Sequence, residues 1–170
     1  YAKSKGDVLR HAFDYLREYD YDAYIIFDAD NIVHPEFIEK MNNVLCAGYR
    51  LAQGYRDSKN PSDSWISGSY SLHYMIQNYF LNKARMNINW SSFINGTGFM
   101  ISKDLIEEKG YSSNTMTEDI ELSVKCAIGN EKIAFAEEAI TYDEQPITLA
   151  QSWKQRERWS IGTLQCLKIY

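Results

Sequence analysis

Apolar and polar positions along the chain switch between strand-like runs and helix-like repeats. Residues 24–27 form an unbroken apolar run, and two acids, Asp28 and Asp30, follow it at once. A run of this kind predicts a strand buried on both faces, as in a parallel sheet. In open α/β sheets ligands collect beyond the carboxyl ends of the strands. We therefore expect the chain to be organised around this strand and the acids at its end.

Helical spacing of apolar residues flanks this strand on both sides. Asp7 is a candidate cap for a helix over residues 8–16, and Pro35 is a candidate first residue of the next helix, which ends near Gly48. Further helices are predicted over 65–81, 103–110 and 118–128 and from Thr148 onward. Short strands are predicted over 49–56, 99–102, 132–135 and 139–142. Strands and helices thus alternate along most of the chain.

The acids after the central strand are candidate ligands for a cation. Two nearby carboxylates repel each other unless a cation or a proton lies between them. Mg²⁺ is usually held by one or two carboxylates together with substrate phosphates. A metal–phosphate site at Asp28 and Asp30 is one interpretation; the other is a polar loop that merely leaves a strand, since Asp and Asn favour turns.

Two glycine-containing segments could approach a ligand. Lys5-Gly6 lies near a predicted helix start, where backbone N–H groups favour anions, although a solvated basic turn explains it equally well. Gly96 and Thr97 belong to a loop of small residues before a short strand. Glycine allows close backbone approach, and the alternative there is a tight turn.

Glu118 and Asp119 follow a polar loop and open a helix. An Asp at such a helix start, facing a metal site, could serve as a general base. A capping box between Thr115 and Glu118 is the alternative, because acids in a first turn suit the helix dipole without any catalytic role.

The last predicted helix carries an unusual polar face. Gln155, Arg158 and Trp159 are spaced i, i+3 and i+4 and therefore share one side of the helix. An amide, a guanidinium and an indole form a poor core stripe. They could grip a diphosphate and stack a sugar ring, or they could belong to an exposed charged helix with a partly buried Trp.

Composition narrows the class of protein. The 170 residues suffice for one domain, and the net charge of −5 argues against nucleic acid as a partner. Three widely spaced Cys form no zinc or disulfide pattern, which favours a reducing compartment. No run is long enough to cross a membrane, and no signal peptide is visible. Since the chain starts at Tyr1, we expect a soluble piece of a longer protein.

Three motifs together resemble a known family. Asp28-Ala29-Asp30, then Thr117-Glu118-Asp119, then the segment from Gln155 to Trp159 resemble the D-x-D, T-E-D and Q-x-x-R-W signatures of family 2 glycosyltransferases, in the same order. The likeness is greatest to the processive branch, the cellulose, chitin, hyaluronan and poly-N-acetylglucosamine synthases. It covers nearly the whole chain.

The resemblance implies a role for each matching residue. Asp28 and Asp30 would hold Mg²⁺ or Mn²⁺ on the diphosphate, and Asp119 would be the catalytic base. The donor site would comprise Lys5, Asp28, Gln155 and Arg158. The acceptor site would comprise Gly96, Thr97, Glu118 and Trp159.

The implied fold is α/β of the GT-A, Rossmann-like type, with a mixed, mostly parallel sheet flanked by helices and with the family's N-terminal strands missing. Residues 1–170 would be part of one catalytic domain. The implied activity is inverting, metal-dependent transfer from a nucleotide sugar, such as a UDP-sugar, to a growing glycan. A non-processive enzyme acting on a lipid or short glycan, or a binding-only domain, is the alternative.

The resemblance also implies a cellular setting. The parent protein would sit in the cell membrane with this domain on the cytoplasmic side. By itself the piece would be inactive. It would also self-associate, because strand edges and apolar surface lose their cover.

Overall fold

The computed structural model describes residues 4–170. Within them the helices are α1 (Lys5–Leu16), α2 (Phe37–Cys46), α3 (Trp65–Ile76), α4 (Ala84–Asn87), α5 (Lys103–Lys109), α6 (Glu118–Ile128) and α7 (Leu149–Ile169). A π-helical segment, Gln77–Lys83, joins α3 to α4. The strands are β1 (Ala23–Ile26), β2 (Ile32–Val33), β3 (Leu51–Ser58), β4 (Phe99–Ser102) and β5 (Ile133–Asp143). None of these helices combines the length and the apolar character that crossing a membrane requires.

The five strands form one mixed sheet in the order β1-β4-β3-β5-β2. β3 and β5 are parallel, whereas β4 runs against both β1 and β3, and β2 runs against β5. The mixed α/β class is therefore confirmed. Strands β1, β3 and β5 share one direction, so "mostly parallel" describes the strand directions but not the pairings, of which only β3–β5 is parallel in the described chain.

β1 corrects one expectation. Tyr24 and Ile26 are buried, but Ala23 and Ile25 are only partly covered. Within residues 4–170 this strand pairs with β4 alone and lies at the edge of the sheet. Its apolar run thus does not signal a central strand with both faces buried, although its carboxyl end does lead into Asp28.

Each face of the sheet carries its own core, because successive strand residues point to opposite sides. Leu51, Ile101 and Ile133 pack with α1, α5 and α6 residues on one face. Their neighbours Ala52, Met100 and Ala134 pack against α2 on the other, where the largest members are Phe37 and Met41. A small third cluster of Ile66, Tyr70 and Tyr74 joins α3 to α7 through Trp159.

Several element boundaries differ from those predicted. Ser4, not Asp7, caps α1, with its Oγ accepting from the Asp7 N–H at 3.1 Å. α2 begins at Phe37 rather than Pro35. The helix predicted over 65–81 changes to π-helical geometry at Gln77. The two strands predicted between 132 and 142 form one strand, β5, whose register against β3 shifts between Gly54 and Tyr55.

Candidate active site

A cavity of about 690 Å³ opens beside the carboxyl end of β1, between the first turns of α1 and α6 and the side of α7. Most residues singled out in the sequence border it. They are Lys5, Asp28, Gly96, Glu118, Asp119, Gln155, Arg158 and Trp159. Two do not, Asp30 and Thr97. Residues more than 150 positions apart in the sequence therefore share one site.

The Lys5 ammonium group lies among the acids of this cavity. Its Nζ is 2.5 Å from Asp28 Oδ1 and 3.5 Å from Glu118 Oε1. It also donates to the carbonyl oxygen of Gly96 at 2.6 Å. A cation held in this position presents positive charge to an anionic ligand, and it opposes the rise in the pKa of Glu118.

Asn31 of the same loop and Thr97 of the loop before β4 both bond the backbone of Asp28. Its backbone N–H donates to Asn31 Oδ1 at 3.1 Å and to Thr97 Oγ1 at 3.0 Å, and Thr97 also bonds Asn31. Thr97 is fully buried. It was expected to contact an acceptor; instead it lies under the cavity and fixes Asp28, because its hydroxyl is committed to these two residues.

Asp30 is exposed and faces a neighbouring depression of about 360 Å³. Its carbonyl oxygen accepts from Lys59 Nζ at 2.6 Å. The structure therefore places Asp28 and Asp30 on one loop but does not bring both into one cavity. Gln155 borders both spaces. Within residues 4–170 no group of three or more His, Cys, Asp or Glu side chains forms a ready metal site.

Glu118 and Asp119 open α6 at the cavity wall. Burial raises the pKa of Asp119, and its Oδ1 accepts from the Ile120 N–H at 2.9 Å, which opposes that rise. Burial followed by the charge of Asp119 raises the pKa of Glu118, while Lys5 opposes it. The capping box expected from Thr115 does not form, since Thr117 is the N-cap and makes no side-chain cap bond.

Gly96 lies close to the candidate base. It has a φ of +81°, in the left-handed region that favours glycine, and a Cβ built there would lie 3.0 Å from Asp119 Oδ2. Any side chain at this position would crowd that carboxylate. Glycine thus keeps the approach to Asp119 open.

α7 presents Gln155, Arg158 and Trp159 on one side, as their spacing predicts. Trp159 is partly buried, with its ring centroid 6.1 Å from that of Tyr70. Arg158 is exposed at the cavity rim. The Oε1 of Gln155 is buried, and no described residue bonds it. An unpaired acceptor at a cavity wall is suited to a ligand hydroxyl or amide donor.

Sequence reasoning missed Arg56. This buried guanidinium donates to Asn95 O at 2.9 Å and, through Nε, to Asp143 Oδ2 at 2.9 Å, and it lies 4.1 Å from the Tyr74 ring centroid. Its position at the end of a predicted strand was the only available signal. The partners come from three distant segments, so no sequence spacing could reveal them.

Gln53 was missed as well. It is fully buried; its Nε2 donates to Thr97 O at 2.9 Å, and its Oε1 accepts from the Asn95 N–H at 2.7 Å. One side chain thus bonds both ends of the loop that carries Gly96. A Gln inside a predicted strand gives no hint of this role, because the loop lies more than 40 residues away.

Comparison with known proteins identifies the family. Residues 2–162 match the family described as "Glycosyltransferase like family 2". The chain belongs to this family.

Curated relatives agree with this assignment. The chain is 36% identical to "Probable glycosyltransferase YdaM" of Bacillus subtilis, over 95% of this chain and 38% of that protein. It is 26% identical to "Probable glucomannan 4-beta-mannosyltransferase 14" of Arabidopsis thaliana, over 91% of this chain and 29% of that protein. The chain therefore spans well under half the length of these relatives.

Solved structures show the same fold. A glucosyl-3-phosphoglycerate synthase from Mycobacterium tuberculosis, solved with Mn²⁺ and uridine-diphosphate-glucose, superimposes with a TM-score of 0.59 at 13% identity, over 98% of this chain and 55% of that chain. This likeness confirms the GT-A type of fold. At 13% identity, this likeness is evidence for the fold alone.

Proposed function

We propose that the parent protein is an inverting, metal-dependent glycosyltransferase that moves a sugar from a nucleotide sugar, such as a UDP-sugar, to a growing polysaccharide. One observation carries the proposal: Asp119 borders the same cavity as the Lys5–Asp28 pair and the polar face of α7. A base, an anion-binding group and a sugar-sized space therefore lie together. Relatives named as a probable mannosyltransferase and a cellulose synthase catalytic subunit support the polysaccharide assignment.

In the proposed reaction Asp119 removes the acceptor proton. The acceptor oxygen bonds to the anomeric carbon while the bond from that carbon to the diphosphate oxygen breaks on the opposite face, which inverts the configuration. The proton moves to Asp119, and the electron pair leaves with the diphosphate. Burial raises the pKa of Asp119, which brings a carboxylate base nearer to its working range.

The leaving diphosphate needs positive charge and donors. Lys5 Nζ, which already lies 2.5 Å from Asp28, and Arg158 at the rim supply charge, and Gln155 supplies an amide. Because positioned donors stabilise charge that develops in the transition state, these three residues form the donor side. The acceptor side comprises Gly96, Glu118 and Trp159.

The donor set suits a divalent metal. Asp28 and Asp30 offer hard carboxylate oxygens on one loop, and Mg²⁺ or Mn²⁺ bound by two such groups completes its shell with substrate phosphates and water. Such an ion would neutralise charge on the diphosphate when bound.

We also propose a cellular location for the parent protein. We place the parent protein in the membrane with this domain on the cytoplasmic side, because the processive enzymes that the motifs resemble have that arrangement. Nucleotide sugar and glycan are the proposed partners, and the net charge of −5 disfavours nucleic acid.

The test is sugar transfer by the full-length protein, measured with a panel of UDP-sugars with Mn²⁺, with Mg²⁺ or with a chelator. We expect a polymeric product that requires metal and is lost in Asp28→Asn and Asp30→Asn, while the matched surface variant Asp63→Asn keeps full activity. Single-sugar products on a lipid or short glycan would favour the non-processive alternative. Donor binding without any transfer would favour a binding-only domain and overturn the proposal.

A further inference from the structure

Glu121 is the most completely enclosed acid of the described chain. Its side chain has no solvent exposure. Its Oε2 accepts from the backbone N–H groups of Asn114 at 2.7 Å and Thr115 at 2.9 Å, and from Ser113 Oγ at 3.2 Å. One oxygen therefore holds three consecutive residues of the loop that precedes α6.

The other oxygen faces different elements. Oε1 lies 2.8 Å from Lys125 Nζ and accepts from Tyr170 Oη, just past α7, at 3.0 Å. Burial alone would raise the pKa of Glu121, but its bonds to Lys125, Asn114, Thr115 and Tyr170 outweigh burial and lower the pKa to about 2. The carboxylate is therefore charged at neutral pH and can accept from all its donors at once.

The loop held by Glu121 leads directly into Glu118 and Asp119, and other elements press on it. A Cβ built on Gly162 of α7 would lie 2.3 Å from Thr117 Oγ1. The Met116 N–H donates to Gln165 Oε1, also on α7, at 2.9 Å. The loop is thus packed between α6 and α7 with little space for adjustment.

We propose that Glu121 is a positioning residue that fixes Asp119 of α6 relative to the polar face of α7. The effect of this positioning on sugar transfer rests on the proposed function. Glu121 does not itself border the cavity, but it accepts from the N–H of Thr115, which does. It acts through the loop on one side and through the end of α7 on the other.

The substitution Glu121→Gln tests this with nearly unchanged volume. An amide nitrogen in the Oε2 position would face two backbone N–H groups, and in the Oε1 position it would face the Lys125 ammonium. In either orientation the amide N–H groups of Gln face other donors, so the hydrogen bonds on one side of this residue are lost. The matched control is Glu131→Gln. Like Glu121, Glu131 is a well-covered carboxylate that does not border the cavity, and its cationic partners are Arg50 and Lys109.

Two readouts are taken on the full-length protein. In Glu121→Gln we expect transfer turnover to fall by about 10- to 100-fold, the scale of a displacement of roughly 1 Å, while KM for the donor stays near the wild-type value. We also expect faster amide hydrogen exchange in the peptide spanning 113–120. The Glu131→Gln control should change neither quantity.

The outcomes separate this inference from the proposed function. If the wild type transfers sugar and folded Glu121→Gln does so at the wild-type rate, the positioning role is refuted. If the wild type transfers nothing, the proposed function fails, and unchanged exchange over 113–120 would still refute the positioning role. Should Glu121→Gln not fold, Tyr170→Phe removes a single bond at a partly exposed residue. Faster exchange over 113–120 supports the inference, and wild-type exchange overturns it.

Discussion

Two acidic side chains, Asp104 and Asp119, occupy the same position in the first turn of a helix but have different surroundings. Asp119 is the second residue of α6 and lies at the cavity wall, whereas Asp104 is the second residue of α5 and is exposed. Both suit the positive end of a helix dipole. Of the two, only Asp119 has Gly96 and the Lys5 cation as neighbours. Variants at the two positions therefore test the proposed catalytic role of Asp119 against a capping role.

The first prediction uses this pair. Asp119→Asn should lower transfer turnover by about 10²- to 10⁴-fold, the usual contribution of a general base, while donor affinity changes little because the base acts on the acceptor. Asp104→Asn should leave turnover unchanged. The measurement is kcat together with donor Kd for both variants, and equal turnover in the two would contradict the role of Asp119.

The second prediction concerns stability and pH. Burial raises the pKa of Asp119 above its value in the unfolded chain, so the folded protein binds this proton more tightly. Ionisation of Asp119 therefore costs stability, and the cost appears as pH rises from the unfolded pKa through the folded pKa. Asp119→Asn should increase the free energy of unfolding at pH 7. Below the unfolded pKa of Asp, roughly 3.9, the increase should vanish.

Chemical denaturation of the wild type and of Asp119→Asn at both pH values measures this difference. Asp104→Asn again serves as the control, with a change of about half a kcal/mol or less expected for an exposed helix-start acid. A less stable Asp119→Asn at pH 7 would show that its bond from Ile120 and its cationic neighbours outweigh burial.

At the scale of elements, the sequence predicts the extent of helices well and the pairing of strands poorly. α5 and α6 match their predicted spans to within a residue or two because helix periodicity and terminal glycines are local signals. The edge position of β1 and the single strand β5 depend on which strands pair, which no local pattern encodes.

The same contrast holds for the candidate site. The sequence singles out Lys5, Asp28, Asp119 and the face of α7 because each lies in a recognisable local motif, and all of them border the cavity. Arg56 and Gln53 were missed because their hydrogen-bond partners Asn95, Thr97 and Asp143 are more than 35 residues away. Thr97 lies in the predicted loop, but its full burial could not be predicted, since burial is set by tertiary packing.

The contact between α7 and the loop before α6 leads to the third prediction. A Cβ on Gly162 would lie 2.5 Å or less from two atoms of Thr117. Gly162→Ala should destabilise the fold by about 1–3 kcal/mol through overpacking, despite the better helix propensity of Ala. It should also lower transfer, because the displaced loop carries Asp119.

Gly68→Ala in α3 is the matched control. A Cβ built on Gly68 would lie 3.2 Å from Pro61 O, so the crowding is milder and the better helix propensity of Ala offsets it. Urea denaturation and transfer rates of both variants give the comparison. Equal stability in the two would mean that α7 shifts easily and that the loop is not tightly packed.

At the scale of the whole molecule, apolar side chains remain exposed on three helical segments. On α3 and the π-helical segment they include Trp65 and Phe80, each 70% exposed, and on α7 they include Trp153 at 77% and Leu167 at 75%. Large apolar side chains that are at least 70% exposed promote association between molecules. Within residues 4–170, β1 lies at the edge of the sheet, and an edge strand offers backbone groups that another chain can bond.

The last prediction is that residues 1–170, expressed alone, associate in a concentration-dependent way and bind nucleotide sugar weakly. The double variant Leu164→Gln/Leu167→Gln should reduce association, because it removes two exposed apolar side chains from α7 without touching the cavity. Glu157→Gln, at another exposed site on α7, keeps the apolar surface intact and should associate like the wild type. Light scattering over a concentration series, paired with calorimetric titration of UDP-sugars and Mn²⁺, measures both properties. A monomer at all concentrations with micromolar donor affinity would contradict the prediction, and it would show that this chain covers its apolar surface and holds the donor unaided.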